Sequence, residues 1–285
     1  MVKEKTVSIV TPFLDGQRFF EEAIQSILSQ TFEGWEVLLI DDGSTDESTA
    51  YARRLAEEQP ERIRYFEHPG HINRGMPASR NLGIAKARGK YLAFLDVDDV
   101  WLPEKLARQT AVLDEHPEVS MVYGPLIFWY DWTGKAADKK RNFVCPMGGQ
   151  YNSVISPPTM LLRQIEKTDG LPAPSSVLLR TAIAVEVGGF DESFNMYEDE
   201  VFFSKIALRY PVYVIPESLD RYRQHPDSFS SRAIAAGDYA MTQGPENKAR
   251  GRFLRWLRDY ILRSGLDDGT LIRALDVELE PYGNS

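Results

Sequence analysis

The sequence has a single cysteine, no long apolar run and no excess of positive charge, and each absence excludes a class of protein. Because Cys145 is the only cysteine among 285 residues, the chain can form no internal disulfide, which suits a reducing compartment. The net charge of -9 leaves no basic field for general nucleic-acid binding. The longest apolar stretch, residues 119–132, is interrupted by polar residues, glycine and proline, so it cannot span a bilayer.

Targeting segments and nucleotide-binding glycine loops are also missing. Residues 1–6 lead directly into a strand-like run, so we expect no signal peptide and a cytoplasmic location. No Gly-x-Gly-x-x-Gly follows the first predicted strand and no Walker loop is present, which argues against a dinucleotide or P-loop site. The three histidines His68, His71 and His116 show no ligand spacing and are predicted to lie at the surface.

What the sequence does contain is an alternation of short apolar runs and amphipathic segments, which is typical of an α/β fold. Predicted strands cover residues 7–11, 35–40, 63–66, 91–95, 121–130, 176–180 and 212–215. Predicted helices cover residues 19–30, 47–59, 77–87, 103–115, 182–187 and 198–209, with a helical tail from residue 247. A capping box over residues 44–47 is expected to open the second helix. Such alternation implies parallel strands, and ligands bind beyond their carboxyl ends.

Polar clusters follow three of these strands, at residues 11–15, 41–44 and 96–99. The last cluster contains Asp96, Asp98 and Asp99 after a buried strand, where unpaired negative charge is costly. Because hard divalent cations bind through carboxylates and phosphate oxygens, our first hypothesis is a metal-bridged diphosphate. The alternative is a solvated acidic loop ahead of a helix N-terminus, which also favours aspartate.

Motifs in a fixed order connect the sequence to a known family. They are VSIVTPF (7–13), LIDDGSTD (39–46), NRG (73–75), ASRNLG (78–83), FLDVDD (94–99), GGFDE (188–192), YED (197–199) and YRQHPDS (222–228). With these motifs the chain resembles the family 2 inverting glycosyltransferases of the GT-A fold over residues 5–232. The resemblance implies a Rossmann-like, mostly parallel central sheet flanked by helices.

The resemblance also implies how the chain is divided. Residues 1–232 form the GT-A domain, with 1–130 as the nucleotide-sugar-binding half and 131–232 as the acceptor-binding and catalytic half. Residues 233–285 form a C-terminal helical extension. Residues 131–175 show little periodicity, so we expect a functional loop or mobile lid that partly orders when ligand binds.

The implied reaction is transfer of a sugar from a nucleotide diphosphate, with UDP favoured, to an acceptor hydroxyl. A divalent cation, Mn²⁺ or Mg²⁺, stabilises the leaving diphosphate as a Lewis acid. Asp98 matches the metal ligand of the family's DxD element, and His225 matches a further metal ligand or a diphosphate contact. The other donor-binding positions implied are Thr11, Pro12 and Phe13 around the base, Asp42 on the base, Arg80 on phosphate or sugar oxygens, and Asp96 on ribose or sugar hydroxyls.

An inverting transfer needs a general base on the face opposite the leaving group. Asp199 matches that base in the family, with Glu198 as the alternative and Glu200 beside them. All three lie at a predicted helix N-terminus, where the helix dipole favours an ionised carboxylate. The alternative interpretation is the acidity that is ordinary at helix N-termini.

The acceptor is expected to be a saccharide or a glycolipid, in polysaccharide or glycoconjugate synthesis. Aromatic residues in 129–132, together with Tyr197, are candidates for stacking on an acceptor sugar. The amphipathic segment 250–263 either packs on the domain or makes a peripheral contact with the inner face of a membrane. No nucleic-acid partner is expected, and the sequence makes no prediction of oligomeric state.

Two rival interpretations come from the same residues. The first is an aspartyl-phosphate phosphatase that uses Asp96 as nucleophile and Asp98 as acid. That motif normally follows the first strand of its fold, whereas here it follows the fourth predicted strand. The second is a non-catalytic nucleotide-sugar-binding subunit, against which the retained Asp98 and Asp199 argue.

Overall fold

Two sheets and their flanking helices organise the chain, and the computed structural model describes residues 6–147, 150–166, 172–239, 244–266 and 269–283. The strands are β1 Val7–Phe13, β2 Trp35–Asp41, β3 Ile63–Glu67, β4 Tyr91–Phe94, β5 Val100–Trp101, β6 Met121–Tyr123, β7 Leu126–Trp129, β8 Phe143–Cys145, β9 Ser153–Ile155, β10 Leu178–Arg180, β11 Val212–Val214 and β12 Asp220–Arg223. The helices are α1 Gln17–Leu28, α2 Ser48–Glu58, α3 Met76–Lys86, α4 Lys105–Glu115, α5 Ala136–Lys139, α6 Thr159–Glu166, α7 Thr181–Glu186, α8 Glu198–Ala207, α9 Phe229–Ala236, α10 Lys248–Ser264 and α11 Gly269–Leu279.

The larger sheet has eight strands in the order β3-β2-β1-β4-β10-β6-β11-β9. Strands β3, β2, β1 and β4 run parallel, as do β6 and β11, whereas β10 inserts antiparallel between β4 and β6. The predicted α/β fold with a mostly parallel central sheet is therefore confirmed. A smaller sheet has the order β5-β12-β7-β8.

Strand register explains why the acidic segments meet. Phe13 at the end of β1 lies opposite Asp41 at the end of β2, and Val10 lies opposite Phe94 at the end of β4. Because all three strands point the same way, the residues that follow them leave the sheet at one edge.

Side chains alternate between the two faces of this sheet, and helices cover both faces. On β1, Val10 belongs to a cluster that includes apolar residues of α3, α6, α8, α10 and α11. Its neighbours Val7 and Ile9 belong to a second cluster with α1, α2 and α4. The pattern is the layered arrangement expected when a parallel sheet must be covered on both sides.

The region after residue 120 differs from the prediction. The single strand expected over 121–130 is wrong, because β6 ends at Tyr123 and β7 belongs to the other sheet. Gly124 allows the change of direction, since an added Cβ would lie 2.6 Å from the Glu217 carbonyl oxygen. The prediction that residues 131–175 are irregular is also wrong for the described parts of this segment, which contain α5, β8, β9 and α6. Residues 148–149 and 167–171 lie outside the described residues.

The predicted capping box is wrong as well. Helix α2 begins at Ser48 without a side-chain cap. The Ser44 hydroxyl instead accepts a hydrogen bond from the Asp15 N–H at 3.1 Å. The hydroxyl that the sequence pattern predicted to cap α2 is thus used in a contact between the loop after β1 and the loop after β2. Helix α9 was not predicted; its Ser228 cap accepts from the Ser231 N–H.

The helical tail predicted from residue 247 is confirmed as α10 and α11. Phe253, Leu257 and Ile261 form the buried apolar face of α10 and pack inside the protein. The arginines of α10 also donate hydrogen bonds within the protein. The bonds are Arg250 to the Ile165 carbonyl, Arg252 to the Ser193 carbonyl, Arg255 to the Tyr282 carbonyl, Arg258 to the Asp276 carboxylate and Arg263 to the Asp259 carbonyl. Among the described residues, no helix has the length and hydropathy needed to cross a membrane.

Candidate active site

The buried guanidinium of Arg80 joins acidic side chains that are far apart in sequence. Arg80 lies on α3, and its Nη2 donates to both carboxylate oxygens of Asp96, at 2.9 and 3.0 Å. Its Nη1 donates to Glu198 Oε1 at 3.0 Å. The Phe190 ring covers the guanidinium at 5.3 Å. One cation therefore connects the loop after β4 with the first turn of α8.

The positive charge of Arg80 is shared among more carboxylates than it can neutralise. Burial, followed by the neighbouring Asp199 charge, raises the pKa of Glu198 to about 7, although Arg80 opposes the shift. Burial also raises the pKa of Asp199, and again Arg80 opposes the change. At this helix N-terminus the cost of desolvation exceeds the help of the dipole, so the pKa of each of the two carboxyls lies above its ordinary value.

The geometry of the α8 start fixes where these two acids lie. Tyr197 has a left-handed backbone with φ of 65° and accepts the first helical hydrogen bond, from the Val201 N–H at 2.8 Å. Asp199 Oδ1 accepts from the Glu200 N–H at 2.8 Å. The Tyr197 ring is only 4% exposed, so it offers no face for an acceptor sugar, contrary to the sequence-based suggestion.

Asp98 and His225 form a second pair at the same edge. His225 Nε2 lies 3.1 Å from Asp98 Oδ2, while its Nδ1 is buried and has no hydrogen-bond partner among the described residues. The Asp98 side chain keeps 28% of its surface exposed, so it remains open to a ligand. The predicted partners Asp98 and His225 are thus brought together.

This pair fits a hard divalent cation. The 3.1 Å contact between His225 Nε2 and Asp98 Oδ2 is a hydrogen bond, and both side chains are types that would ligate Mn²⁺ or Mg²⁺ in its place. Among the residues that the structure describes, no group of three His, Cys, Asp or Glu side chains is arranged to hold a metal. Protein ligands would therefore supply only part of the coordination sphere, as is usual when phosphate oxygens supply more.

Asp99, next to Asp98, is buried and supports the loop that follows β4. Its Oδ1 accepts from the Arg223 N–H at 3.0 Å. Burial first, and then the Asp98 and Asp96 charges, raise its pKa well above the usual value. Arg223 also donates from Nε to the Asp98 carbonyl at 2.7 Å.

Aromatic rings hold Arg223 from the other side. Its guanidinium lies 4.3 Å from the Trp129 ring and 4.6 Å from the Phe19 ring, and it pairs with Glu22 at 2.6 Å. Trp129 is therefore buried against this cation, whereas Trp132 is partly exposed and its Nε1 donates to the Gln224 carbonyl at 2.9 Å. Within this stretch, Trp132 remains a candidate for acceptor stacking.

The turn after β2 holds Asp42, the predicted base contact. Asp42 Oδ1 accepts from the Arg74 N–H at 2.8 Å, and Oδ2 accepts from the Gly75 N–H at 3.0 Å. Gly43 has φ of +86°, and an added Cβ would lie 2.8 Å from the Asn73 nitrogen. Only glycine fits here, and the carboxylate next to it ties the 71–75 loop to the sheet edge.

The remaining predicted donor positions lie at the end of β1. Thr11 is fully buried, and its hydroxyl has no hydrogen-bond partner among the described residues. Phe13 is also buried and packs on Phe20 with ring centroids 4.7 Å apart. Pro12 lies between them and is buried too. Their role around a base stays a prediction.

Two supporting residues were missed or misplaced by sequence reasoning. Ser175 Oγ accepts from the Asp96 N–H at 3.3 Å and also bonds to the Asp99 side chain. No sequence signal marked this serine. His68, predicted to be exposed, is buried; its Nε2 lies 2.9 Å from Ser79 Oγ and 3.5 Å from Asp42 Oδ1. That prediction was wrong because the fold packs the loop after β3 against α3.

Comparison with known proteins identifies the family. The model of glycosyl transferase family 2 matches residues 8–176. The chain belongs to glycosyltransferase family 2. An uncharacterized glycosyltransferase of Nostoc sp. is 35% identical over 261 residues, covering 91% of this chain and 76% of the relative. Three rickettsial glycosyltransferases match at 28–29% identity, and the chain spans only 31–44% of their length.

Solved structures of this glycosyltransferase's neighbours show the GT-A fold. Staphylococcus aureus TarS 1–349 in complex with UDP-GlcNAc superposes with a TM-score of 0.68 at 19% identity, covering 97% of this chain and 71% of TarS. The mannosyltransferase PcManGT from Pyrobaculum calidifontis, in complex with GDP-Man and Mn²⁺, superposes with a TM-score of 0.65 at 18% identity. It covers 97% of this chain and 69% of PcManGT.

Proposed function

We propose that this glycosyltransferase moves a sugar from a nucleotide diphosphate donor, UDP being the favoured nucleotide, to an acceptor hydroxyl with inversion. The observation that carries the proposal is the meeting of Asp96, Arg80 and Glu198 at the edge where Asp42 and Asp98 also lie. Through Arg80, hydrogen bonds of 2.9–3.0 Å connect Asp96, a proposed donor-binding residue, with Glu198, which adjoins the proposed base. The neighbours bound to UDP-GlcNAc and GDP-Man support a nucleotide-sugar donor.

In the proposed reaction, a carboxylate of the α8 first turn accepts the proton of the acceptor hydroxyl. The hydroxyl oxygen attacks the anomeric carbon, and the bond from that carbon to the diphosphate oxygen breaks on the opposite face. We assign the base to Asp199, because Glu198 is bound directly to Arg80 at 3.0 Å. Glu198 is the alternative base. Asp96 holds its orientation through Arg80 and is proposed to accept hydrogen bonds from donor hydroxyls.

Asp98 and His225 are proposed to hold the divalent cation, Mn²⁺ or Mg²⁺. When bound, the cation stabilises negative charge on the leaving diphosphate as a Lewis acid. The support comes from the direct contact between the two side chains, the partly exposed Asp98 carboxylate and the Mn²⁺ complex of PcManGT.

Arg80 and Asp42 have restricted roles in this proposal. Arg80 gives its terminal donors to carboxylates, so we propose that it reaches the donor chiefly through Asp96. Asp42 uses one hydrogen bond on each oxygen, and each carboxylate oxygen can accept another, which leaves capacity for a base N–H. The buried Thr11, Pro12 and Phe13 are proposed to contribute shape and backbone groups around the base.

The acceptor is proposed to be a saccharide or glycolipid, in polysaccharide or glycoconjugate synthesis in the cytoplasm. Residues 1–130 are proposed to serve the donor, 131–232 the acceptor and catalysis, and 233–285 to form the helical extension. A peripheral contact with the inner face of a membrane through α10 would have to use its polar surface, because the apolar face is buried.

A thermal-shift screen against nucleoside diphosphates and their sugars, with and without Mn²⁺, tests the donor and the metal. We expect Mn²⁺ to raise the melting shift for UDP, and Asp98→Ala to reduce metal-dependent affinity about 10–100-fold in calorimetry. Asp114→Ala, a surface carboxylate paired with Lys90 at 2.7 Å, is the matched control. Equal UDP affinity with and without Mn²⁺ would contradict the metal role.

Turnover separates the rival functions. Release of free sugar from the donor in the absence of acceptor supports a transferase and excludes a non-catalytic subunit. Hydrolysis of simple phosphate esters without nucleotide-sugar binding would instead support the phosphatase. Against that rival, Asp96 is held at both oxygens by Arg80, which restrains it as a nucleophile.

A further inference from the structure

A link behind the first turn of α8 connects the candidate base to the C-terminal helices. Tyr197, immediately before Glu198, has a left-handed backbone with φ of 65°. For a residue with a side chain, that conformation costs about 1–2 kcal/mol, so the surrounding structure must hold it. Because Tyr197 sets the direction in which α8 begins, whatever holds it also sets where Glu198 and Asp199 lie.

Two of the contacts that hold Tyr197 come from α10 and its cap, and a third is the Tyr239 ring, whose centroid lies 5.9 Å away. The Tyr197 ring stacks on Phe253, with ring centroids 5.4 Å apart and planes inclined by 16°. Its hydroxyl oxygen accepts a hydrogen bond from Asn247 Nδ2 at 3.0 Å. Both contacts are buried, where a satisfied hydrogen bond restrains orientation strongly.

Asn247 is itself fixed from its other end. Its Oδ1 accepts from the Arg250 N–H at 3.1 Å and so caps α10. The Arg250 side chain donates to the Ile165 carbonyl at 2.7 Å and to Glu278 Oε2 at 2.6 Å. The orientation of one amide therefore depends on α6, α10 and α11 together.

We propose that Asn247 and Tyr197 are positioning residues that hold the first turn of α8, so that the Glu198–Asp199 pair meets the acceptor hydroxyl. The C-terminal helices thereby take part in catalysis without touching substrate. This inference rests on the proposed function, because it assumes that the general base lies in that turn. Asn247 and Tyr197 both lie beyond the 8–176 segment that the family model matches.

Two variants remove the hydrogen bond between Asn247 and Tyr197 and keep most of the surrounding packing. Tyr197→Phe deletes the hydroxyl and keeps the ring on Phe253. Asn247→Ser keeps an oxygen that can cap α10, but its side chain is too short to reach the tyrosine. Ile261→Val is the matched control, because it removes one buried methylene from α10 away from the link at a cost of about 0.5–1.5 kcal/mol.

Two measurements decide the inference. The first is hydrogen exchange of the Val201 amide, whose bond to the Tyr197 carbonyl closes the first turn of α8. The second is the division of the effect between kcat and the donor KM. We expect both link variants to speed Val201 exchange and to lower kcat about tenfold, since small misplacement of a reacting group is costly. Donor KM should stay within about twofold, and Ile261→Val should change neither quantity.

The outcomes keep this inference separate from the proposed function. Unchanged Val201 exchange in both link variants would overturn it, and so would faster exchange with wild-type kcat. An equal loss of kcat in Ile261→Val would reduce the effect to general destabilisation and also overturn it. If the wild-type protein turns over no nucleotide sugar, the proposed function fails, and the positioning role fails with it whatever the exchange shows.

Discussion

The turn after β2 and the first turn of α8 each hold two adjacent carboxylates, buried in the β2 turn and half-buried in the α8 turn, and the two turns supply very different numbers of donors to them. In the β2 turn, Asp41 accepts from the Gly43 and Ser44 amides at 3.1 and 2.8 Å, and from the hydroxyls of Thr49 and Tyr65. Asp42 there accepts from two further amides of the 71–75 loop. In the α8 turn, one guanidinium serves Glu198 and Asp96 together, and Asp199 nearby takes the Glu200 amide.

The number of donors around each carboxylate distinguishes acidic clusters that stabilise the fold from those suited to catalysis or binding. A carboxylate surrounded by N–H and O–H donors is satisfied and fixes the loops that supply those donors. A buried carboxylate with too few donors has a raised pKa and gains from a proton, a cation or a ligand hydroxyl.

Replacing the proposed base should have the largest effect. Asp199→Asn is expected to lower kcat about a thousandfold while donor affinity stays nearly intact, because the lost interaction exists only in the transition state. Steady-state kinetics with donor calorimetry measures both quantities. Asp276→Asn, an exposed acid paired with Arg258, is the control and should keep full turnover. Wild-type turnover in Asp199→Asn would move the base to Glu198.

Removing the shared cation should destabilise the α8 side strongly. Arg80→Met leaves the half-buried Asp96 and Glu198 without their buried partner, so we expect the free energy of unfolding to fall by about 3 kcal/mol. Urea denaturation measures the change. Arg53→Met is the matched control, because its pair with Glu67 is exposed and should contribute less than about 1 kcal/mol. Similar losses in the two variants would contradict the contrast between buried and exposed pairs.

The raised pKa of Glu198 predicts a specific dependence of stability on pH. Between its ordinary value of 4.5 and about 7, the folded protein binds a proton that the unfolded chain releases. This group's stabilising contribution is therefore complete below 4.5 and is lost as pH rises to about 7. Urea denaturation at pH 5 and pH 7.5 should show a loss in the wild type that exceeds the loss in Glu198→Gln by roughly 1–3 kcal/mol. Equal losses in the two proteins would argue against the shifted pKa.

A change in the β2 turn should have the smallest effect on stability. Asp42→Asn keeps one amide oxygen as acceptor but loses one of the two hydrogen bonds from the Arg74 and Gly75 N–H groups, of which the Gly75 N–H also donates to Asn73 Oδ1 at 3.0 Å. We expect a loss of about 1 kcal/mol, the usual value of one such hydrogen bond. Chemical denaturation measures it, and UDP calorimetry on the same variant reports whether Asp42 also contacts the base. A loss as large as that of Arg80→Met would show that the β2 turn is not the better satisfied region.

Much of the fold followed from local pattern. The first four predicted strands match β1 to β4 within two residues at each end, because buried parallel strands show as short apolar runs between helix signals. The split of 121–130 into β6 and β7 did not follow, since both pieces are apolar and only the pairing of β7 with β12 separates them. The prediction that Ser44 caps α2 was wrong for a related reason, because its hydroxyl accepts a hydrogen bond from Asp15 in a neighbouring loop.

Local sequence patterns marked the acidic positions of this glycosyltransferase: Asp96, Asp98 and Asp199 are the proposed donor contact, metal ligand and base. The tertiary structure alone decided which groups meet. In the folded protein Arg80 bonds to Asp96 and Glu198, and the side-chain amide of Asn247 bonds to Tyr197. The physical reason is that side-chain identity is local, whereas desolvation and hydrogen-bond partners depend on residues that folding brings together from distant parts of the chain.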